Sequence, residues 1–296
     1  MSTPALTPAP PPAPPPSRFK RSLRPLGLIV GFYLLCFVII AVFQIAAEAV
    51  FGAGAADAQG ASAQWVTLVS VVIATYVMLR RVEKLPWSTV GLHRTAASPS
   101  ALVRGTAFGA LPIGLASLLL IGVQQLQVSP APDGSWWGAA GSALALLLPA
   151  AFFEELFIRG YAFSVLRRMA GWKLALIVTS VVFGLLHAGN PGANAQSILA
   201  VIVAGFFLGA VFLATGSLYA VGAAHFAWNW TMVALLHTPV SGLVMPSPDY
   251  RTVDAGPDWL TGGAWGPESG LAAAGAEFVL LFILYGRYLR RMESYA

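Results

Sequence analysis

Eight apolar runs, set apart by Gly, Pro and charge, dominate the sequence: 26–51, 64–79, 102–126, 136–168, 172–188, 197–214, 218–237 and 270–288. About 20 such residues wound into a helix cross a hydrocarbon layer roughly 30 Å thick. Lipid offers the backbone no hydrogen-bond partner, so a spanning segment must satisfy its own N–H and C=O groups. The expected fold is therefore all-α, a polytopic membrane helix bundle of about eight transmembrane helices. Composition points the same way, with 57% of residues hydrophobic and 10% charged, against about 25% charged in a soluble domain.

Ahead of the first run lies "MSTPALTPAPPPAPPPS", rich in Pro and Ala and without core-forming residues. It is expected to be extended and polyproline-like. Together with Arg18, Lys20, Arg21 and Arg24 it makes 1–25 a disordered cytoplasmic tail, leaving 26–296 as the membrane domain. The lone Cys36 excludes an internal disulfide and is read as a core residue. The first run exceeds the 7 to 15 residues of a signal-peptide core, so it is read as an anchor that stays.

With eight spans and both termini inside, every Lys and Arg except Arg251 falls on the inner side. Asp57, Asp133, Asp249, Asp254, Asp258 and Glu268 fall on the outer side. This is the asymmetry of the positive-inside rule. It makes the protein an integral, multi-pass membrane protein with both termini cytoplasmic. The net charge of +5 then matches anionic lipid facing the inner loops, and no nucleic acid partner is implied. The Ala, Gly and Pro content resembles a high-GC bacterial product, which places the chain in a bacterial plasma membrane. The outer segment 238–269, with its Pro, Gly, Asp and Trp, is expected as an interfacial flap. The sequence has no internal repeat, Gly-rich phosphate loop, CxxC or HExxH pattern.

Three polar islands interrupt the apolar helices. An ionisable group at membrane depth is unfavourable by several kcal/mol unless it is paired or faces a wet cavity, so each marks a functional position. The first is Glu154, Glu155 and Arg159 in "AAFFEELFIRGYAF"; the second Phe183 and His187 in "FGLLH"; the third His225 and Asn229 in "HFAWN". Glu155 and Arg159 stand at i and i+4 with the acid first, the favourable order for an intrahelical pair. That turns Glu154 about 100° away with its carboxylate free. His225 and Asn229 share a face by the same spacing. Taking Ala170 and Gly171 as the tip of a helical hairpin, Glu154 and His187 each lie about 16 residues from it, or roughly 24 Å up. His225 and Asn229 lie roughly 14 to 20 Å above the turn near Gly216. The islands should meet in one polar chamber opening toward the inside, within a catalytic core at about 145–237.

A carboxylate beside a neutral imidazole can orient a water and take its proton, while two donors on one face can hold an oxyanion. The same set permits a metal site, since His187, His225 and Glu154 are two imidazoles and a carboxylate of the kind that hold a catalytic zinc. The residues alone leave both open. A proton-coupled transporter built around Glu154 would call for inverted repeats and broken helices, and none is found.

"EELFIR" fits EExxxR, "FGLLH" fits FxxxH and "HFAWN" fits HxxxN, in that order on successive membrane helices. In this the stretch from about 150 to 230 resembles the CPBP (CAAX protease and bacteriocin-processing, Abi) family of intramembrane proteases, which includes the type II CAAX prenyl endopeptidases. The resemblance implies an α-helical membrane fold with its chamber open to the cytoplasm. It implies that Glu154 with His187 activates water, that His225 with Asn229 forms the oxyanion hole, and that Glu155 with Arg159 braces the first helix, Phe183 supporting them. It favours a metal-free, glutamate-type mechanism with no cofactor, zinc on His187, His225 and Glu154 being the alternative. The expected function is hydrolysis of a peptide bond in a membrane-associated or lipidated peptide. The expectation from another class is a noncatalytic immunity or scaffold protein on the same fold. Prenylated substrates are a eukaryotic feature, so the resemblance does not name the client.

Overall fold

The computed structural model describes residues 18–52, 60–131, 134–246 and 248–293. The tail 1–17, Asp57 and Asp133 lie outside them. The first helix, α1 (Arg18–Phe51), begins inside the stretch expected as tail and runs through Pro25. α2 (Ala61–Tyr76) continues as a π-helical turn, Val77–Val82, so the shortest apolar run is a 22-residue rod. α3 is Pro99–Gly122, followed by the short strand β1 (Leu126–Pro130). The run expected to be helical to residue 126 thus stops four residues earlier. Its last residue, Leu126, opens β1, which pairs antiparallel with β2 (Tyr250–Asp254), Leu126 opposite Asp254.

α4 (Trp136–Glu155) passes through a second π-helical turn, Leu156–Gly160, into α5 (Tyr161–Leu186). Gly171 interrupts α5 with φ 83° and ψ 165°, a left-handed conformation that glycine adopts without a Cβ penalty. A straight rod from 154 to 187 would be about 50 Å long, yet the side chains of Glu154 and His187 lie 4.0 Å apart. Gly171 is therefore a reversal, and the two arms form the expected hairpin. α6 (Ala195–Thr215) ends at Gly216 in the left-handed region, and α7 (Leu218–Trp230) runs on through a third π-helical turn, Thr231–Leu235. A single turn, α8 (Asp258–Thr261), precedes α9 (Leu271–Glu293). Among the described residues this gives eight rods, six helical stretches being long and apolar enough to cross a membrane. The molecule is an all-α, polytopic membrane bundle, the two-stranded sheet at one end aside.

Side-chain caps satisfy the N–H groups that a helix start leaves unpaired. Ser98 accepts from Ala101 N, Ser135 from Gly138 N and Ser217 from Ala220 N. Asn194 and Ser197 cap α6 reciprocally. The most extensive helix pair is α3 against α7, where Gly105 and Gly109 let the backbones touch. A Cβ on either glycine would strike the carbonyl of Ala220 or Ala224, the small-xxx-small packing of membrane helices. α1 instead presents Leu34, Phe37 and Val38 outward and buries only a stripe that includes Phe32 and Cys36.

One end of the bundle gathers the cations. Arg168 donates to Glu83 at 2.9 Å, tying the hairpin tip to the end of α2, and Arg104, Arg287 and Arg290 line one groove with Thr215. The sheet, α8 and the loop after α5 lie at the other end, where Asn190 Nδ2 donates to Ser241 O and Gln196 Nε2 to Asp258 O. Between the polar islands and the arginine-rich end sits the hydrophobic core, with Leu156, Ile158, Phe163, Phe212 and Leu218 all buried.

Candidate active site

Glu155 is fully buried at the end of α4. An isolated buried carboxylate would be strongly unfavourable, and here it is partnered on two sides. Arg159 Nη1 donates to both carboxylate oxygens at 2.8 and 2.6 Å, and His225 Nδ1 donates to Oε1 at 3.0 Å. Arg159 Nη2 donates to the carbonyl of Gly205 at 2.9 Å. Gly205 is a close approach as well, since a Cβ there would meet Ser180. The expected brace is therefore larger than one helix: a single buried pair pins α4, α6 and α7 together.

The bond from Nδ1 settles how His225 is used. A carboxylate only accepts, so Nδ1 carries a proton, and the ring's Nε2 faces Glu154 Oε2 at 3.9 Å. His187 is set likewise. It ends α5, four residues after Phe183, and its Nδ1 donates to the Phe183 carbonyl at 2.8 Å. Its Nε2 lies 4.0 Å from Glu154 Oε2. The FxxxH spacing is thus one helical turn that fixes a tautomer. The Phe183 ring packs edge-on to both imidazoles, with centroids at 4.8 Å from His187 and 5.8 Å from His225, and lies 4.9 Å beneath the Arg159 guanidinium carbon.

Glu154 Oε2 is shut off from solvent and has no hydrogen-bond partner among the described residues. Separations of 3.9 and 4.0 Å are too long for direct hydrogen bonds, but a water bonded at about 2.8 Å to two acceptors spans roughly 4 to 4.6 Å. Ligands of a tetrahedral zinc at about 2.1 Å lie closer together, about 3.4 Å apart. Among the described residues no group of three His, Cys, Asp or Glu is placed to hold a metal ion. The two separations about Glu154 are close to those that a bridging water spans and longer than those between ligands of a tetrahedral zinc.

Two cavities meet at His187 and Phe183. One, of about 530 Å³, holds Glu154 and is walled by Phe37, Phe153, Phe157 and Leu186. The other, of about 30 Å³, holds His225 and Asn229 with Ser241, Glu268 and Glu277, room for about two waters. All seven residues expected at the site are thus gathered about His187 and His225. The chamber was expected to open toward the end that carries most of the arginines. The Glu154 cavity is lined by Gly189, Asn190, Pro191 and Leu243, which belong to loops at the end away from the arginines. The packed core closes the other way.

The sequence reading missed the far wall of the second cavity. Glu268 accepts from Ser241 N at 2.6 Å, Ser241 Oγ at 2.9 Å and Trp228 Nε1 at 3.3 Å. The segment 238–269 is thus built into the chamber and is more than an interfacial flap. Glu277 is buried in α9, with Oε2 unpartnered among the described residues. Its signal was the rule that flagged Glu154, an acid inside an apolar run.

A polytopic bundle with two imidazoles turned onto one intramembrane carboxylate defines a class of membrane proteins, and comparison with known families agrees. Residues 136–231, about a third of the chain, match the family model described as type II CAAX prenyl endopeptidase Rce1-like. The chain therefore carries an Rce1-like segment spanning all three islands, consistent with the CPBP family that its motifs resemble. That family is generally one of proteases, which supports a peptidase at a coarse level. Neither the curated proteins nor the solved structures searched give a match.

Proposed function

We propose that the protein is an intramembrane endopeptidase that cleaves a membrane-held peptide with water activated by Glu154 and His187, without a metal. The observation that carries this reading is the unpartnered Glu154 Oε2 with an imidazole Nε2 at 4.0 Å on one side and 3.9 Å on the other. With Nδ1 committed to Phe183, a neutral His187 offers a lone pair at Nε2. One water donating to Glu154 and to His187 turns its own lone pair toward a peptide carbonyl. As the C–O bond forms, Glu154 takes the proton and the carbonyl oxygen becomes an oxyanion. The proton then passes to the amide nitrogen, the oxyanion collapses as the C–N bond breaks, and the acid so formed gives up water's second proton to the released amine, so that carboxylate and ammonium products separate.

Asn229 Nδ2 donates to the oxyanion in any protonation state. His225 joins it only when both ring nitrogens carry protons, a state flanked by the carboxylates of Glu154 and Glu155. Removing one oxyanion donor typically slows hydrolysis about 100 to 1000-fold.

The test uses purified protein in lipid nanodiscs with a pool of membrane-spanning peptides, products being read by mass spectrometry. Glu154→Gln keeps the shape and removes the base. Cleavage by the parent that vanishes in this variant, at unchanged melting temperature, is the expected result. Equal cleavage by both would end the proposal, and a biological activity retained by Glu154→Ala and His187→Ala alike would point to a noncatalytic partner.

A further inference from the structure

The end of the bundle at which Glu154 becomes reachable is the one opposite the arginine-rich end. Arg80, Arg81, Arg104, Arg168 and Arg287 belong to the opposite end, with the Gly171 and Gly216 turns. From there the path to Glu154 is filled by Leu156, Ile158, Phe163, Leu166 and Phe212, all buried. At the reachable end, Ala188 and Gly189 are exposed and Asn190, Pro191 and Leu243 line the Glu154 cavity. The described charges there are mostly acidic, Asp249, Asp254, Asp258 and Glu268, with Arg251 their cationic exception. Trp137 and Trp259 are 80% and 56% exposed at this end, where an aromatic belt would meet headgroups. The cavity also reaches sideways between helices, to Phe37 and Ile40 of α1 and Thr67 of α2, and Phe37 is 60% exposed where lipid would lie.

Lys and Arg in short loops are retained on the cytoplasmic side. Joined to the position of the cavity, this gives a result opposite to the one the family resemblance implies. We propose that the catalytic cavity opens to the extracytoplasmic face and its lipid leaflet. On the peptidase reading given above, the substrate is then the exported stretch of a peptide anchored by an apolar segment in that leaflet. A cytoplasmic lipidated C-terminus could not reach Glu154 from its own side. The apolar walls at Phe37, Phe153 and Phe157 suit the anchor.

The experiment is a topology map that needs no catalysis. Cys36 is buried and is the sole cysteine, so Cys36→Ala gives a background for single cysteines at Ala188→Cys, by the cavity, and Met169→Cys, at the hairpin tip. Both sites are exposed. Cells are treated with a membrane-impermeant maleimide before and after permeabilisation. Labelling of position 188 in intact cells, with position 169 labelled only after permeabilisation, is the expected outcome. Protection of 188 in intact cells, or labelling of 169 there, overturns it. Repeating the map in Glu154→Gln separates it from the hydrolytic reading, because that variant loses cleavage and keeps its labelling pattern.

Discussion

Glu155 accepts from Arg159 on its own helix and from His225 seventy residues away, so one carboxylate links the frame of the bundle to the orientation of a reactive ring. Breaking a buried pair from one side leaves the other charge uncompensated, at a typical cost of about 3–5 kcal/mol. Arg159→Met should accordingly lower the melting temperature sharply and diminish hydrolysis with it, whereas the double change Arg159→Met with Glu155→Leu should recover stability without recovering activity. Thermal melting beside a cleavage assay separates the two effects. A second expectation follows from the 3.9 and 4.0 Å separations around Glu154. Elemental analysis of active protein should find no stoichiometric zinc, and a chelator should leave turnover unchanged; zinc whose removal stops the reaction would replace the water-only mechanism.

α7 carries His225 and Asn229, and its position is fixed by its contact with α3. Gly109→Leu would drive a side chain into the backbone at Ala224, next to His225. Overpacking of this kind typically destabilises by about 1–3 kcal/mol or more. The variant should melt earlier and cleave less, while a substitution at Gly141, where a Cβ meets nothing, should do neither. Much of this architecture was legible in the sequence. Run length fixed the rods, Gly171 marked the hairpin, and i to i+4 spacing paired Glu155 with Arg159, because these are local properties of a helix in lipid. The union of His225 with Glu155 was not legible, since it depends on how α4 and α7 rotate about their own axes. Ser241 and Glu268 escaped for a related reason: nothing in a Pro- and Gly-rich loop tells whether it lies on a membrane or folds into it. The direction of opening was not legible, because depth along each helix says nothing of the side chains that fill the space toward either end.

Across the whole molecule, the pair of Glu83 and Arg168 fastens the hairpin tip to the end of α2, outside the apolar span. Burial by itself would raise the Glu83 carboxyl, but hydrogen bonds and charge from Arg168 more than offset it and hold it below the ordinary 4.5. A carboxyl lowered on folding stabilises the folded state above its unfolded pKa and loses that contribution as pH falls through its folded one. Pairs as accessible as this one are typically worth about 0.2–1 kcal/mol. The parent should therefore melt slightly above Glu83→Gln at neutral pH, and the gap should close on acidification below about 4.5. A gap that widened in acid would mean that the pair is not the fastening. The π-helical turn Leu156–Gly160 acts over the same distance in another way. It inserts one extra residue between the two glutamates and the hairpin, so that the arms below it and the acids above are phased by chain length alone. Deleting one residue among 156–158 would let this wide turn close to an ordinary α-helix and would bring Arg159 to three residues from Glu155, out of the i to i+4 spacing of their pair. The buried brace would then be lost to a count of residues, with no change in their chemistry.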